Sequence, residues 1–537
     1  MESKNDIPLK EYIPVATTEN GANDLATHDD TLPTKAVDNT LEEGKKDVTL
    51  NRELGLFSAV SLILGVMIGS GIFVSPAPAL SYSGSVGMCT VVWFVCGVIS
   101  LIGALAFAEL GTVVPRSGAE YAYFTESFNN LHPFWGPLPA FICSWVYVVV
   151  LRPAEVAVIT LTFAEYICQP VIDHYHIDKN SIENVKMYIA LGALGLITFI
   201  NIASVKLYVK IQNIFGAFKV LVCVVIIGAG IYAISTGYTD NLKTGFKGTH
   251  TKPSSIALAF YSGLWAYDGW STVTTVTEEI KNPSRNIPLS ILISVPLVTL
   301  LYVFMNVAYM AVLTIGEMEA APAVAVVFGE RILGTFSVII PIGVALATFG
   351  CALSIQFSIT RLCYVAGQEG HMIKAFSYVN VKRLTPAPAV AFQGLISLIF
   401  IMCGSIVTLI EFASFFIWIF YGVAMVSLIV LRYTKPGVHR PYKVPIWIPY
   451  FIFLVALFLS VTPIATDPSP KYLFALAFII SGIFVYIPFV YYKMKLPLMD
   501  HFTKLIQVVF QAVPPEKYEN QNNVDNVDNE KTKADKK

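Results

Sequence analysis

Three glycines interrupt an apolar stretch of the chain that is long enough to cross a bilayer. The stretch covers residues 54 to 80, and Gly65, Gly69 and Gly71 surround Ser70 near its middle. A glycine costs a helix about 1 kcal/mol relative to alanine, so the pattern predicts a break in the helix. The half-helix that begins near Ser70 would direct free N–H groups at an anion, and the carbonyl groups that end the first half would bind a cation. This arrangement predicts a site for a zwitterion.

A second apolar segment is interrupted in a similar way. Between Tyr261 and Trp270 the chain carries Gly263, Asp268 and Gly269. Unwound backbone in hydrocarbon is tolerated only where protein or a water-filled cavity meets its polar groups. A lone glycine in a membrane helix more often marks close helix packing. The two clusters, however, occupy matching places in two halves of opposite orientation, which indicates an inverted repeat with a binding site near the bilayer midplane.

The composition indicates that membrane-spanning helices must position these residues. Of the 537 residues, 55% are hydrophobic and only 14% are charged, and the mean hydropathy is +0.63. We predict an all-α membrane protein of twelve transmembrane helices. A five-plus-five inverted repeat of the LeuT type is followed by two extra helices, and helices 1 and 6 are discontinuous. The predicted segments are 54–82, 87–111, 134–161, 185–204, 211–236, 254–279, 287–315, 335–366, 388–405, 408–432, 446–465 and 471–492.

Charge and cysteine placement predict the orientation and exclude other classes of protein. The net charge of −1 offers no basic surface to nucleic acid. Lys and Arg residues near the membrane are more numerous on the side that carries both termini, which predicts cytoplasmic termini. The eight cysteines are scattered without a CxxC pair, so neither a metal nor a cofactor is predicted. We expect a disordered cytoplasmic tail at 1–50, a twelve-helix domain at 51–495 and a mostly disordered cytoplasmic tail at 496–537.

The chain carries a set of distinctive short motifs in a fixed order. They are Gly69-Ser70-Gly71-Ile72-Phe73-Val74-Ser75-Pro76, Gly103-Ala104-Leu105, Ala108-Glu109-Leu110-Gly111, Ser117-Gly118, Tyr121-Ala122-Tyr123, Arg152-Pro153, Ala266-Tyr267-Asp268-Gly269-Trp270, Thr277-Glu278-Glu279-Ile280, Asn282-Pro283, Arg285-Asn286-Ile287-Pro288 and Glu369-Gly370-His371. The set resembles the amino acid/polyamine/organocation superfamily, and within it the L-type amino acid transporters, the light subunits of heteromeric amino acid transporters. The resemblance covers residues 50 to 495.

The resemblance implies a substrate site at the two interrupted segments. The backbone around Ser70 and Gly71 would bind the substrate carboxylate, and carbonyl groups near Met67, Trp265 and Asp268 would bind its α-amino group. Trp265 stands where the family places an aromatic gate over the occluded substrate. Four further residues match positions that line the side-chain pocket, namely Ile159, Ser271, Phe415 and Trp418. The predicted substrate-binding residues are Met67, Ile68, Gly69, Ser70, Gly71, Ile159, Trp265, Asp268, Ser271, Phe415 and Trp418.

Ionisable residues inside apolar spans are costly and indicate function. The resemblance brings Lys219 to the region where sodium-coupled members of the wider fold hold a metal ion, which implies sodium independence. A lysine that extends to the cytoplasmic interface is the alternative. Asp268 would pair with a bound cationic side chain, or it would cap the second half-helix. We expect Glu278 and Arg285 to contribute to a gate at the cytoplasmic mouth.

Two further pairs of residues have a structural interpretation. Arg152 and Glu155 have the character of a structural or gating ion pair. Phe415 and Trp418 are three residues apart on one helical face, a spacing that by itself is typical of core packing.

The function implied by the resemblance is sodium-independent exchange of large neutral, and with Asp268 also cationic, L-amino acids across the plasma membrane. A proton-coupled transporter or a transport-dead amino acid sensor of the same fold is the alternative. The chain carries no HExxH or GxSxG motif that would indicate an enzyme. Light subunits carry a cysteine for a single-span glycoprotein heavy chain, but Tyr175 stands at that position. This difference argues against a disulfide link and leaves non-covalent association open.

Overall fold

Helices make up most of the described chain. The computed structural model describes residues 54–116, 118–175, 179–277, 280–321, 323–403, 405–466, 469–494 and 497–514. The helices of the first half are α1 Leu56–Met67, α2 Gly71–Val74, α3 Pro76–Ser83, α4 Val86–Val113, α5 Glu120–Phe128, α6 Leu138–Val146, α7 Arg152–Tyr175, α8 Lys179–Ala203, α9 Val205–Ser235, α10 Asp240–Lys243, α11 Pro253–Ala266 and α12 Thr272–Thr275.

The second half of the described chain continues the helical pattern and adds two short strands. A π-helical turn, Tyr147–Leu151, joins α6 to α7, and another, Ile487–Tyr491, follows α20. The remaining elements are α13 Pro283–Val312, α14 Ile315–Ala320, α15 Val324–Leu333, α16 Ile339–Gln368, β1 Val379–Asn380, α17 Ala387–Cys403, α18 Ile406–Thr434, α19 Trp447–Thr466, α20 Pro470–Tyr486, α21 Pro497–Phe510 and β2 Ala512–Val513.

Ten spans among the described residues are long and apolar enough to cross a membrane. They lie in α1–α2, α4, α6–α7, α8, α9, α13, α15–α16, α18, α19 and α20 with its π-helical turn. A helix rises 1.5 Å per residue, so about 20 residues cross the 30 Å hydrocarbon layer. The chain is therefore a multi-pass membrane protein. The sixth and ninth predicted segments contain shorter apolar helices, the 14-residue α11 and the 17-residue α17.

Both glycine-containing segments lack helix at the expected places. Helix α1 ends at Met67, and α2 begins at Gly71. Helix α11 ends at Ala266, and α12 begins at Thr272. Ile68, between the first pair, has φ −77° and ψ 78°, outside the helical region. The four helices place two short stretches of non-helical backbone inside the buried part of the protein.

A buried carboxylate joins three elements at one end of the molecule. Glu411, near the start of α18, accepts a hydrogen bond from the hydroxyl of Tyr82 at 2.8 Å. Its other oxygen pairs with the ammonium of Lys471, at the start of α20. We call this set, Tyr82, Glu411 and Lys471, the α3–α18–α20 clamp.

A second buried carboxylate joins elements at the C-terminal end of α4. Glu109 is fully buried and accepts a hydrogen bond from Nε of Arg432 at 2.9 Å. It also accepts one from the backbone N–H of Val444 at 2.8 Å. Pairing and hydrogen bonding satisfy a charge whose burial would otherwise be strongly unfavourable.

The segment predicted as a mostly disordered tail at 496–537 begins with ordered structure. The 14-residue helix α21 occupies Pro497–Phe510, and β2 pairs antiparallel with β1 in the loop before α17. The side-chain amide of Asn380 donates to the carbonyl of Phe510 at 2.7 Å. Residues 515–537 and the predicted tail at 1–50 lie outside the described residues.

Candidate functional site

The first break exposes unpaired backbone groups at both of its ends. Among the described residues, no backbone N–H group donates to the carbonyl of Ile68 or Gly69. The N–H groups of Gly71 and Ile72 likewise have no backbone acceptor in this part of the chain. These residues and Ser70 are all buried. The break thus presents free acceptors beside free donors, as a zwitterionic ligand requires.

Lys219 is buried against the end of α1. Its side chain is 1% exposed, and its ammonium donates a hydrogen bond to the carbonyl of Gly65 at 2.5 Å. A lysine that extended into water would leave its ammonium exposed, so the snorkelling alternative does not fit this contact. The ammonium places a fixed positive charge at the negative end of the α1 dipole.

Two further side chains cap the end of α1. The hydroxyl of Tyr302, from α13, donates to the carbonyl of Met67 at 2.5 Å. The thiol of Cys351, from α16, donates to the carbonyl of Val66 at 3.5 Å. The Met67 carbonyl also accepts from the N–H group of Gly69 at 2.8 Å, so both of its lone pairs are used. The carbonyl groups left for a ligand's ammonium are those that follow Met67.

The two breaks touch each other. A Cβ atom on Gly71 would collide with the backbone and side chain of Ala266. Gly269 has φ +109°, and a Cβ atom there would lie 2.6 Å from Cγ1 of Val66. Only glycine combines that backbone angle with so close an approach. The glycines that predict the breaks therefore also let them pack together.

Asp268 forms side-chain contacts at the second break. Its carboxylate accepts a hydrogen bond from the hydroxyl of Tyr421 at 2.6 Å. Its other oxygen lies 3.5 Å from Nη1 of Arg152. The N-cap residue of α12 is Ser271, which makes no side-chain capping bond. The carboxylate thus interacts with other helices, and the alternative of a helix cap does not fit these contacts.

A small cavity lies beside the second break. Trp265, Asp268, Trp418 and Tyr421 line it, together with Ser414, whose buried hydroxyl has no partner among the described residues. The structure thus brings three of the predicted site residues, Trp265, Asp268 and Trp418, around one space.

Phe415 and Ile159 do not line this cavity. Phe415 packs its ring against Tyr472, with ring centroids 5.3 Å apart. Ile159 is buried, with 3% of its surface exposed. For Phe415 the structure supports core packing, the alternative that its spacing left open.

A larger cavity begins on the other side of the Arg152 side chain. It extends between Ser271, Glu120 and Arg361, whose guanidinium stacks 3.6 Å above the ring of Phe357. Ser271 is the predicted site residue that borders this cavity. Since Arg152 lines the larger cavity and Asp268 the smaller one, their contact lies at the boundary between the two.

The predicted gate is only partly described. Glu278 lies outside the described residues. Arg285 is exposed in the first turn of α13, where its N–H group donates to the carbonyl of Asn282 at 3.0 Å. It lines neither cavity.

Sequence reasoning missed three residues of the site. Tyr421 stands three residues after Trp418, so helical periodicity offered a signal for it. Tyr302 and Cys351 lie in spans without distinctive spacing, and no local pattern identifies either of them. Their contacts with α1 follow only from the tertiary fold.

Comparison with known proteins identifies clear relatives. The profile of a protein family described as Amino acid permease matches residues 54–491. The b(0,+)-type amino acid transporter 1 of Mus musculus is 44% identical over 474 residues, which cover 88% of this chain and 95% of the relative. The Cystine/glutamate transporter of Homo sapiens is 39% identical over 479 residues, covering 88% and 93%. The Large neutral amino acids transporter small subunit 2 of Homo sapiens is 38% identical over 473 residues, covering 88% and 86%.

Proposed function

The chain belongs to the amino acid permease family of membrane transporters, and we propose that it is a sodium-independent exchanger of large neutral and cationic L-amino acids. One observation carries the proposal. Free N–H groups at Gly71 and Ile72 lie at the same break as free carbonyl groups at Ile68 and Gly69. Donors for a carboxylate and acceptors for an ammonium group are what every free amino acid needs.

The rest of the substrate would extend toward the second break. Trp265 would close over the bound amino acid, and Trp418 would contact its side chain. Asp268 would bind the charged end of lysine, arginine or ornithine. This assignment is supported by the cavity that the three residues line, and by relatives whose names specify b(0,+)-type and large neutral amino acid transport. Ser271 would contribute from the larger cavity, and Ile159, which lines neither cavity, would pack behind the walls.

Sodium independence rests on Lys219. In a sodium-coupled transporter of this architecture, carbonyl groups at the broken helix help to hold the ion. Here the Lys219 ammonium is bonded to the Gly65 carbonyl, so a resident positive charge already occupies the end of α1. Transport would then be driven by the amino acid gradient on the opposite face.

The proposed architecture has twelve transmembrane helices in a five-plus-five inverted repeat with two extra helices. Helices 1 and 6 are discontinuous, and both termini are cytoplasmic at the plasma membrane. The apolar helices α11 and α17 would supply the two spans beyond the ten long ones. Access would alternate by rocking of one half against the other, with Arg285 and Glu278 at the cytoplasmic gate.

We further propose a non-covalent heavy-chain partner. It is supported by the relative named a small subunit. The Cys168 side chain is 6% exposed, which argues against a disulfide link at this nearby residue.

The test is uptake of radiolabelled leucine and arginine into proteoliposomes that contain the purified chain. We expect uptake into vesicles preloaded with amino acid, little uptake into empty vesicles, and equal rates in sodium and choline media. Equal uptake into empty and preloaded vesicles would contradict exchange. Stimulation by an imposed pH gradient would indicate proton coupling, and no uptake of either substrate would indicate a sensor.

A further inference from the structure

One arginine stands between two carboxylates near the second break. Arg152 opens α7 directly after the π-helical turn Tyr147–Leu151, an irregularity that is frequent at functional sites. Its Nη1 atom lies 2.6 Å from Oε2 of Glu155 and 3.5 Å from Oδ2 of Asp268. Glu155 therefore holds the guanidinium closely, and the contact with Asp268 is the looser of the two.

Carboxyl groups outnumber guanidinium groups at this place. Glu120 lines the same cavity as Arg152, and its buried Oε1 atom has no hydrogen-bond partner among the described residues. The side chain of Glu155 is 2% exposed, and that of Asp268 is 16% exposed. One guanidinium thus stands near three carboxylates. One guanidinium cannot pair closely with all three groups, so a second cation that reaches Asp268 finds a hydrogen-bond acceptor there.

The looser contact is also the accessible one. Asp268 faces the small cavity with Trp265 and Trp418, and Arg152 faces the larger cavity. A cation that enters the small cavity meets Asp268 without passing Arg152, which does not line that cavity. It can replace the Asp268 contact while Arg152 remains bonded to Glu155.

We propose that Arg152 is the resident counter-ion of Asp268 and that it sets the preference of the site between cationic and neutral amino acids. In the empty site the guanidinium compensates Asp268. A substrate with a cationic side chain must displace that interaction, whereas a neutral substrate leaves it in place. The inference rests on the proposed function, because it concerns the same substrates. Arg152 acts through Asp268 and is a positioning residue.

The test compares arginine with leucine in preloaded proteoliposomes. In Arg152→Gln, Asp268 loses its competing partner, and we expect the ratio of kcat/KM for arginine to that for leucine to rise about tenfold. The gain should appear in the KM for arginine. The double variant Arg152→Gln/Glu155→Gln removes both members of the close pair, so Glu155 is not left buried without the guanidinium, and it should show the same rise.

Glu155→Gln alone should have the opposite effect. Without Glu155, the guanidinium is free to pair fully with Asp268, so the arginine to leucine ratio should fall several-fold. Arg152→Lys keeps the charge but not the planar fork, and should give a ratio between those of wild type and Arg152→Gln. These two variants carry the test if Arg152→Gln does not fold.

Two controls distinguish the direct contact of Arg152 with Asp268 from a general electrostatic effect of positive charge in the cavity. Arg361→Gln removes a positive charge from the same larger cavity without touching Asp268, and should leave the ratio unchanged. Adding Asp268→Asn to Arg152→Gln should abolish the rise. A ratio that does not move in Arg152→Gln and Glu155→Gln, or that moves equally in Arg361→Gln, overturns the inference. Leucine exchange by wild type shows in the same assay that the proposed function itself holds.

Discussion

The two breaks between helices, at residues 68–70 and 267–271, differ in the kind of group that they offer. At the first break, the free polar groups belong to the backbone of Ile68, Gly69, Gly71 and Ile72. At the second, the polar groups are side chains, with Asp268 as the principal one. All free amino acids share an ammonium and a carboxylate group but differ in their side chains. A site built this way can recognise the shared part by backbone and choose the variable part by side chain.

The largest effect is expected at the contact between the breaks. Gly71→Ala places a methyl group against the backbone of Ala266 and pushes the two breaks apart. We expect exchange of leucine and arginine to fall alike by about a hundredfold, the effect of a misplacement of about 1 Å in a binding site. Uptake into preloaded vesicles measures it. Gly228→Ala is the matched control and should exchange normally, because an added Cβ atom there meets no atom of another described element within 4 Å.

A smaller effect, still shared by all substrates, is expected at the end of α1. Tyr302→Phe removes the hydroxyl that caps the Met67 carbonyl and should lower exchange of both substrates about tenfold, with an unchanged arginine to leucine ratio. Tyr309→Phe is a matched control on the same helix, because the buried Tyr309 hydroxyl has no partner among the described residues. A change in the arginine to leucine ratio in Tyr302→Phe would contradict the division of roles, in which the first break recognises the backbone of the amino acid and the second its side chain.

A change in substrate order, by contrast, is expected at the second break. Trp418→Leu enlarges the small cavity, so the preference for tryptophan over leucine should rise about tenfold. Phe415→Leu alters a ring that packs on Tyr472 and should lower thermal stability without changing the order. Competition among unlabelled amino acids for leucine uptake measures both. Equal shifts in the two variants would place Phe415 in the pocket as well.

The smallest effect on transport is expected away from both breaks. The hydroxyl of Tyr121 lies 2.9 Å from Nδ1 of His371, and burial lowers the pKa of that imidazole from 6.5 to about 4. The unfolded chain therefore binds more protons than the folded one between these values. Stability should be full above pH 6.5 and fall by up to about 3 kcal/mol as the pH decreases to 4.

Thermal unfolding of the purified protein at several pH values tests this dependence. His371→Gln removes the titrating group, so its unfolding temperature should vary less over the same range. Its arginine to leucine ratio should match that of wild type. An equal pH slope in the two proteins would assign the dependence to another group.

Local patterns in the sequence predicted some features of this site and not others. Gly69, Gly71 and Gly269 mark places where the helix is weakened, which is a property of the residues themselves. The partner of Asp268 is different in kind, since Tyr421 lies 153 residues away. Contacts at such separations depend on how helices pack, and no periodicity encodes them. The ion pair of Arg152 with Glu155 was predictable from their spacing of three, but its second contact was not.

The helix α21 shows a different limit of prediction from sequence. It lies at the start of the segment 496–537, which the sequence analysis predicts to be a mostly disordered tail, yet its apolar positions recur at helical spacing. The spacing of apolar residues within a short window indicates this helix, whereas the average composition of the charged tail hides it. The β1–β2 pairing that holds its C-terminal end depends on tertiary structure.

The α3–α18–α20 clamp has a kinetic consequence. In the proposed orientation it lies on the extracellular side, and we expect α3 and α18 to separate when the protein opens outward. That movement strips Glu411 of the Tyr82 hydroxyl, leaving Lys471 as its remaining partner. The barrier to admitting external solute is thus set partly by a residue of the penultimate helix in the described chain, remote from where the solute is recognised. We therefore expect substitutions in the clamp to change turnover and to leave the order of substrates unchanged.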